Sequence, residues 1–185
     1  NSLLPDKIEV LEFNLSQFNN ASGLQSALHR VRDSGLSGKI PLVIWDEFDS
    51  ALAGDQLGWL RYFLAPMQDG RFQEGELIHP IGRAIFVFAG GTSATAGAFG
   101  ADLTAEQFRG AKGPDFVSRL KGTIDILGPN RSVSDTPGDN ADPYFIIRRA
   151  ILLRSLLQRH APQLFTADGS SKRLHIDRGV LRAFM

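Results

Sequence analysis

Apolar and polar positions alternate along residues 7–15 at Ile8, Val10 and Phe13, with a slip near Leu11, and this period of two predicts a strand. Leu24, Ala27, Leu28 and Val31 then recur at helical spacing. Asn19, Asn20 and Ser22 stand where a cap belongs, and Gly35 and Gly38 close the helix. Next, Ile40–Trp45 is an apolar run without alternation, the pattern of a strand buried on both faces inside a parallel sheet. Strand, helix and strand at this spacing predict a βαβ unit with parallel strands and a right-handed crossover.

Farther along, Leu57, Leu60, Tyr62, Phe63 and Leu64 predict a helical segment that stops near Pro66. Asp69-Gly70 is a turn signal, and residues 71–82 read as an irregular or short hairpin connection. Ala84–Ala89 is a second wholly apolar strand, followed by Gly90-Gly91-Thr92-Ser93. A short helix is expected around Ala105–Phe108. A helical turn follows Pro114 over Asp115–Leu120, and a third parallel strand is expected at Thr123–Leu127. Gly, Pro, Asn, Asp and Ser dominate 128–143, which reads as a linker. Beyond it Ile146, Ile147, Ala150, Ile151, Leu153, Leu156 and Leu157 line an amphipathic helix, with Arg148, Arg149, Arg154 and Arg159 at its edges. A last short helix is expected over Ile176–Phe184, capped by Asp177.

Composition changes this picture little. The 185 residues balance 20 basic against 20 acidic side chains, so nucleic acid is not indicated as a partner. The absence of Cys removes disulfides and thiolate metal sites and fits a reducing, cytoplasmic setting. No apolar run reaches the length of a membrane span, so no membrane partner is expected. The four His, at 29, 79, 160 and 175, show no ligand spacing, and no zinc site is predicted from them. Trp45, Phe48, Trp59, Tyr62 and Phe63 read as core rather than as a nucleobase platform.

The chemistry concentrates where Leu42–Trp45 runs into Asp46 and Glu47, because ligands of open α/β sheets collect at the carboxyl ends of the strands. Two acids there suit a metal ligand and a group that activates water. The structural alternative is an acidic cap on the following turn. Asp49 reads as a cap for a helix over Ser50–Leu57.

Leu42–Glu47 resembles a Walker B segment, and Ile85–Ala89 with Gly-Gly-Thr-Ser resembles a sensor-1 strand. Lys112–Leu120 (Lys-Gly-Pro-Asp-Phe-Val-Ser-Arg-Leu) is similar to the arginine-finger segment of Clp-type unfoldases, and Met67–Arg71 is also Clp-like. In this order they resemble the AAA+ ATPases. The resemblance implies an α/β fold, a partial P-loop NTPase core with a mostly parallel sheet in three α/β/α layers, followed by a truncated helical lid. It implies a core over 1–130, a linker over 131–141 and the start of a lid over 142–185.

By the same resemblance Asp46 holds Mg²⁺ and Glu47 polarises the attacking water. Thr92, or Ser93 beside it, senses the γ-phosphate, and Arg119 acts in trans on the ATP of a neighbouring subunit. The bland alternatives are a turn hydroxyl bonding its own backbone for Thr92 and a surface ion pair for Arg119. The Gly-rich phosphate loop with its Lys is missing: Gly35–Ile40 has the wrong spacing, and Gly90–Gly100 has no Lys. The expectation is therefore a fragment of a homo-oligomeric, ring-forming, ATP- and Mg²⁺-dependent enzyme that remodels a protein substrate, itself unable to hold ATP well. A non-catalytic AAA-like scaffold and a metal-dependent hydrolase using Asp46, Glu47 and Asp49 are the competing readings.

Overall fold

The computed structural model describes residues 7–130, 142, 144–165 and 176–180. It is mixed α/β. Strand β1 (Ile8–Asn14), helix α1 (Ala21–Leu36) and strand β2 (Ile40–Asp46) come first, then α2 (Leu60–Asp69). The hairpin strands β3 (Arg71–Glu74) and β4 (Leu77–Pro80) precede β5 (Ile85–Ala89). Helices α3 (Ala105–Gly110), α4 (Gly113–Arg119) and α5 (Phe145–His160) complete the set. The described chain divides into two compact units, Asn1–Asp125 and Ile126–Met185.

In the first unit β1, β2 and β5 form a parallel sheet in that spatial order, and β3 and β4 form a separate antiparallel pair. The expected βαβ unit is present, and its local signals explain why. The Asn20 side chain accepts the Ser22 N–H as the N-cap of α1, and Leu24, Ala27, Leu28 and Val31 are its buried stripe. The register sets Leu11 beside Val43 and Phe13 beside Trp45, with Phe86 and Phe88 next along. This face is the core. Trp45 stacks on Phe13 at 5.1 Å and meets Phe63 of α2 edge-on at 5.0 Å. Phe88 meets Phe116 of α4 at 4.9 Å, and Arg30 of α1 lies over the Phe13 ring. Helices α1, α2 and α4 therefore all pack on the same side of the sheet.

The other face departs from expectation. Leu42 and Ile44 are only half-buried, and Val10, Ile85 and Val87 are 53%, 48% and 43% exposed. The unalternating apolar runs of β2 and β5 are thus covered on one face rather than two, since no described helix of this unit packs on the second.

Two other expectations change. The segment expected near 57–66 is helical from Leu60 to Asp69 and runs through Pro66. Leu57 sits in the left-handed region at φ 55°, so the helix cannot extend back to it. Pro66 costs its helix a hydrogen bond, but it is buried on the same side as Leu60 and Phe63, and the packing offsets the loss. Gly70, left-handed at φ 61°, then ends the helix. Thr123–Leu127 is not a strand: it pairs with nothing described, and Ile124 is 87% exposed.

The short helices match their sequence signals. Thr104 and Gln107 form a reciprocal capping box at the start of α3, and Pro114 lies in the first turn of α4. In the second unit α5 exposes Ile147 and Ile151, while Arg148 and Arg149 donate to the carbonyls of Gly128 and Pro129. The linker over 131–141 lies outside the described residues. Of the expected last helix only 176–180 is described, where the Asp177 carboxylate accepts the Gly179 N–H at 2.7 Å. No described helix is long and apolar enough to cross a membrane.

Candidate functional site

Strand β2 delivers its two acids to the carboxyl end of the sheet. Asp46 is exposed, and its Oδ2 accepts the Asn14 side-chain amide from the end of β1 at 3.1 Å. Asn14 is itself fixed, because its carbonyl oxygen accepts the Ser16 N–H and O–H at 3.0 and 2.6 Å. Glu47 is exposed and takes a left-handed backbone at φ 54°. For a side chain other than Gly this costs about 1–2 kcal/mol. The sharp turn it makes lets the Phe48 N–H reach back to the Ala89 carbonyl at 3.2 Å, joining the ends of β2 and β5.

Just past these ends lies a contact that the sequence does not reveal. Asp46 and Ala89 are aligned across β2 and β5, and Asp49 and Thr92 each follow three residues later, 46 to 49 and 89 to 92. The buried Asp49 carboxylate accepts both the Thr92 N–H, at 2.8 Å, and the Thr92 hydroxyl, at 2.5 Å. Residues 50–57 are turns rather than a helix, so Asp49 caps no helix and latches two strand ends together instead. Gly90 makes this possible: a Cβ there would lie 2.6 Å from Asp49 Oδ2 and 2.7 Å from the Phe48 ring. The only sequence signal was the equal offset of an acid and a hydroxyl from two apolar runs. It becomes readable only once those runs are known to be neighbours.

Thr92→Val removes the hydroxyl donor and leaves the buried carboxylate with one bond fewer. A loss of about 1–3 kcal/mol is expected in urea unfolding of the chain. Thr92→Ser, which keeps the donor, should stay near the parental midpoint. Equal stability of the Val variant would show that the latch contributes nothing.

Of the other predicted residues, Ser93 is half-buried beside Thr92. Arg119, the last residue of α4, is turned onto its own unit. Its Nε and Nη2 donate to Gln68 Oε1 of α2 at 3.1 and 2.5 Å, and Nη1 donates to the Asp115 carbonyl at 2.5 Å. Its nearest carboxylate, on Asp115, is 4.0 Å away. The structure thus gathers Asp46, Glu47, Asp49, Thr92 and Ser93 at one sheet edge, with Arg119 held by α2.

The donor set suits part of a magnesium–nucleotide site. One exposed carboxylate is enough where phosphates and water supply the other ligands. The cradle for the phosphates themselves is not among the described residues. Gly35–Ile40 leads from a helix into a strand, whereas a phosphate loop leads from a strand into a helix. Asp46, Glu47 and Asp49 do not bring three ligand atoms together. No protein-family model matches the chain, and no curated protein matches it.

Proposed function

We propose that this chain is part of an AAA+ ATPase and carries its water-activating edge. Asp46 holds the magnesium ion that accompanies ATP, Glu47 polarises the attacking water, and Thr92 with Ser93 faces the γ-phosphate. Arg119 serves the site of the next subunit in a homo-oligomeric ring that remodels a protein substrate. The observation that carries the reading is the carboxyl edge of β2: an exposed Asp46 steadied by Asn14, then Glu47 on strained backbone, beside the Gly-Gly-Thr-Ser end of a parallel neighbour. Strained conformations of this kind collect at working sites.

The reading also accounts for what the sheet leaves open. A phosphate loop follows its own strand. Such a strand, laid parallel on the outer edge of β5, would bring its loop beside Asp46 and Thr92. It would offer Thr123–Leu127 the partner that residues 7–130 do not supply, and the helix after the loop would begin a third layer over Ile85 and Val87.

A second reading, a non-catalytic AAA-like interaction module, is favoured by one observation. The hydroxyl and guanidinium assigned to the γ-phosphate are both engaged internally, by Asp49 and by Gln68. The coding sequence upstream of Asn1 separates the two. A strand–GxxxxGK[ST]–helix there, with Mg²⁺-dependent ATP hydrolysis by the polypeptide that includes it, is the expected result. An upstream region without that loop, or a polypeptide with the loop that leaves ATP intact, would overturn the catalytic reading in favour of the module.

A further inference from the structure

Away from the carboxyl edge of the sheet, helix α1 and the β3–β4 hairpin bring together two imidazoles and a carboxylate that the sequence keeps 45 and 50 residues apart. His29 projects from α1. On the hairpin Phe72 is aligned with His79, and Glu74 follows two residues after Phe72, so all three hairpin side chains share one face. The Nε2 atoms of His29 and His79 lie 2.8 and 3.5 Å from the same oxygen, Glu74 Oε2. All three ligand atoms are within 4.8 Å of one another. In a tetrahedral zinc site with bonds of about 2.0–2.1 Å, ligand atoms stand about 3.3 Å apart.

The geometry points to a transition-metal site, with His29 Nε2, His79 Nε2 and Glu74 Oε2 as three ligands of a zinc-class divalent cation. Two imidazoles with one carboxylate select zinc and its neighbours over magnesium and calcium, which prefer oxygen. His79 Nε2 is a buried polar atom with no hydrogen-bond partner: 3.5 Å from Glu74 is ion-pair range but too long for a good hydrogen bond. A bound cation supplies the missing partner and draws both rings onto one centre.

The ligands are preorganised. Phe72, buried at 4% exposure, packs against both rings, edge-on to His29 at 4.9 Å and stacked on His79 at 5.1 Å, while the two imidazoles meet each other edge-on at 4.7 Å. Gln25 of α1 also donates to the Gln73 carbonyl at 3.2 Å, pinning helix to hairpin. Glu74 is 46% exposed, which leaves an entry path and room for water as the fourth ligand. One neighbour opposes the ion. Arg32 Nη1 lies 3.4 Å from His79 Nδ1, although its firmer bonds, at 2.9 and 2.8 Å, go to Asp33. Metal at Nε2 puts a proton on Nδ1, and Arg32 must then move aside.

Calorimetric titration of the whole chain with Zn²⁺ alone is expected to show one equivalent bound. Loss of an outer-shell partner already costs about 10–100-fold in metal affinity, so His29→Gln, Glu74→Gln and His79→Gln should each cost about 100-fold or more. Arg32→Gln should tighten binding, and His160→Gln and His175→Gln should leave it unchanged. Absence of saturable uptake overturns the site, as does uptake indifferent to the three ligand variants, which marks an adventitious ion only. X-ray absorption on the zinc-loaded parental chain decides even where a variant misfolds. Two imidazoles in the zinc shell support the site, and one or none overturns it.

Discussion

Arg119→Ala is expected, on the proposed ring-ATPase reading, to lower ATP hydrolysis by about 10³–10⁵-fold, because an arginine finger neutralises charge that spreads over the transferring phosphoryl group. The same substitution should change the stability of the chain by no more than about 1 kcal/mol. What Arg119 loses within its own unit is two bonds to a neutral amide oxygen, one to a carbonyl and a 4.0 Å approach to Asp115, on a side chain that is 25% exposed. Those bonds also suggest how the residue is held before assembly. Gln68 keeps the guanidinium at the end of α4, and on the proposed reading a phosphate on a neighbouring subunit would offer stronger, charge-assisted bonds in exchange. Mixed oligomers decide whether the role is in trans. Arg119→Ala subunits combined with Glu47→Gln subunits should regain hydrolysis, since intact sites then form between unlike neighbours. Failure of every mixture to complement would remove the trans assignment.

For Glu47→Gln the expectation is a fall of about 10²–10⁴-fold in hydrolysis, the usual contribution of a positioned general base, with accumulation of ATP-bound oligomers. Hydrolysis at the parental rate would end the catalytic assignment. A second substitution at the same position reads the backbone separately. Glu47 stands at φ 54°, where glycine is free of the Cβ clash. Glu47→Gly should therefore be as inactive as the Gln variant, yet be more stable than the parental chain by up to about 1 kcal/mol in urea unfolding. A gain in stability coupled to loss of activity is what a strained working residue predicts. An unchanged or lowered midpoint in the Gly variant would show that the turn is relaxed with Glu in place, and its strain could no longer be cited for the site.

Local chemistry made much of the fold legible. The alternation along residues 7–15, the Asn20 cap and the stripe from Leu24 to Val31 each needed only their own neighbours, and β1, α1 and β2 follow them, although the buried face of β1 is that of Leu11 and Phe13 while Val10 is exposed. The Asp69-Gly70 signal likewise marks the turn from α2 into the hairpin, where Gly70 is left-handed. At the candidate site, Asp46 and Glu47 fall at a strand end as read, because the apolar run that precedes them is long enough to form β2 on any sheet. Asp49 reads as a cap and is not one, since its partner Thr92 is 43 residues away and the hairpin separates them in sequence.

Strands and helices are legible along the chain wherever capping, periodicity and turn residues act within a few positions of one another. So is the pair of acids at the end of the central strand. What each segment faces is set by packing between distant parts of the chain. Ile40–Trp45 reads as buried on both faces and Ala84–Ala89 as wholly apolar, but burial depends on what packs above, and the described helices α1, α2 and α4 lie on one side. Thr123–Leu127 has the composition of a strand and is not one, because a strand exists only in a ladder and nothing described pairs with it. The latch of Asp49 on Thr92 and the meeting of His29, Glu74 and His79 were invisible for the same reason. Hydrogen bonds and metal ligands act over about 2–3 Å, and chain folding alone sets which distant residues come that close.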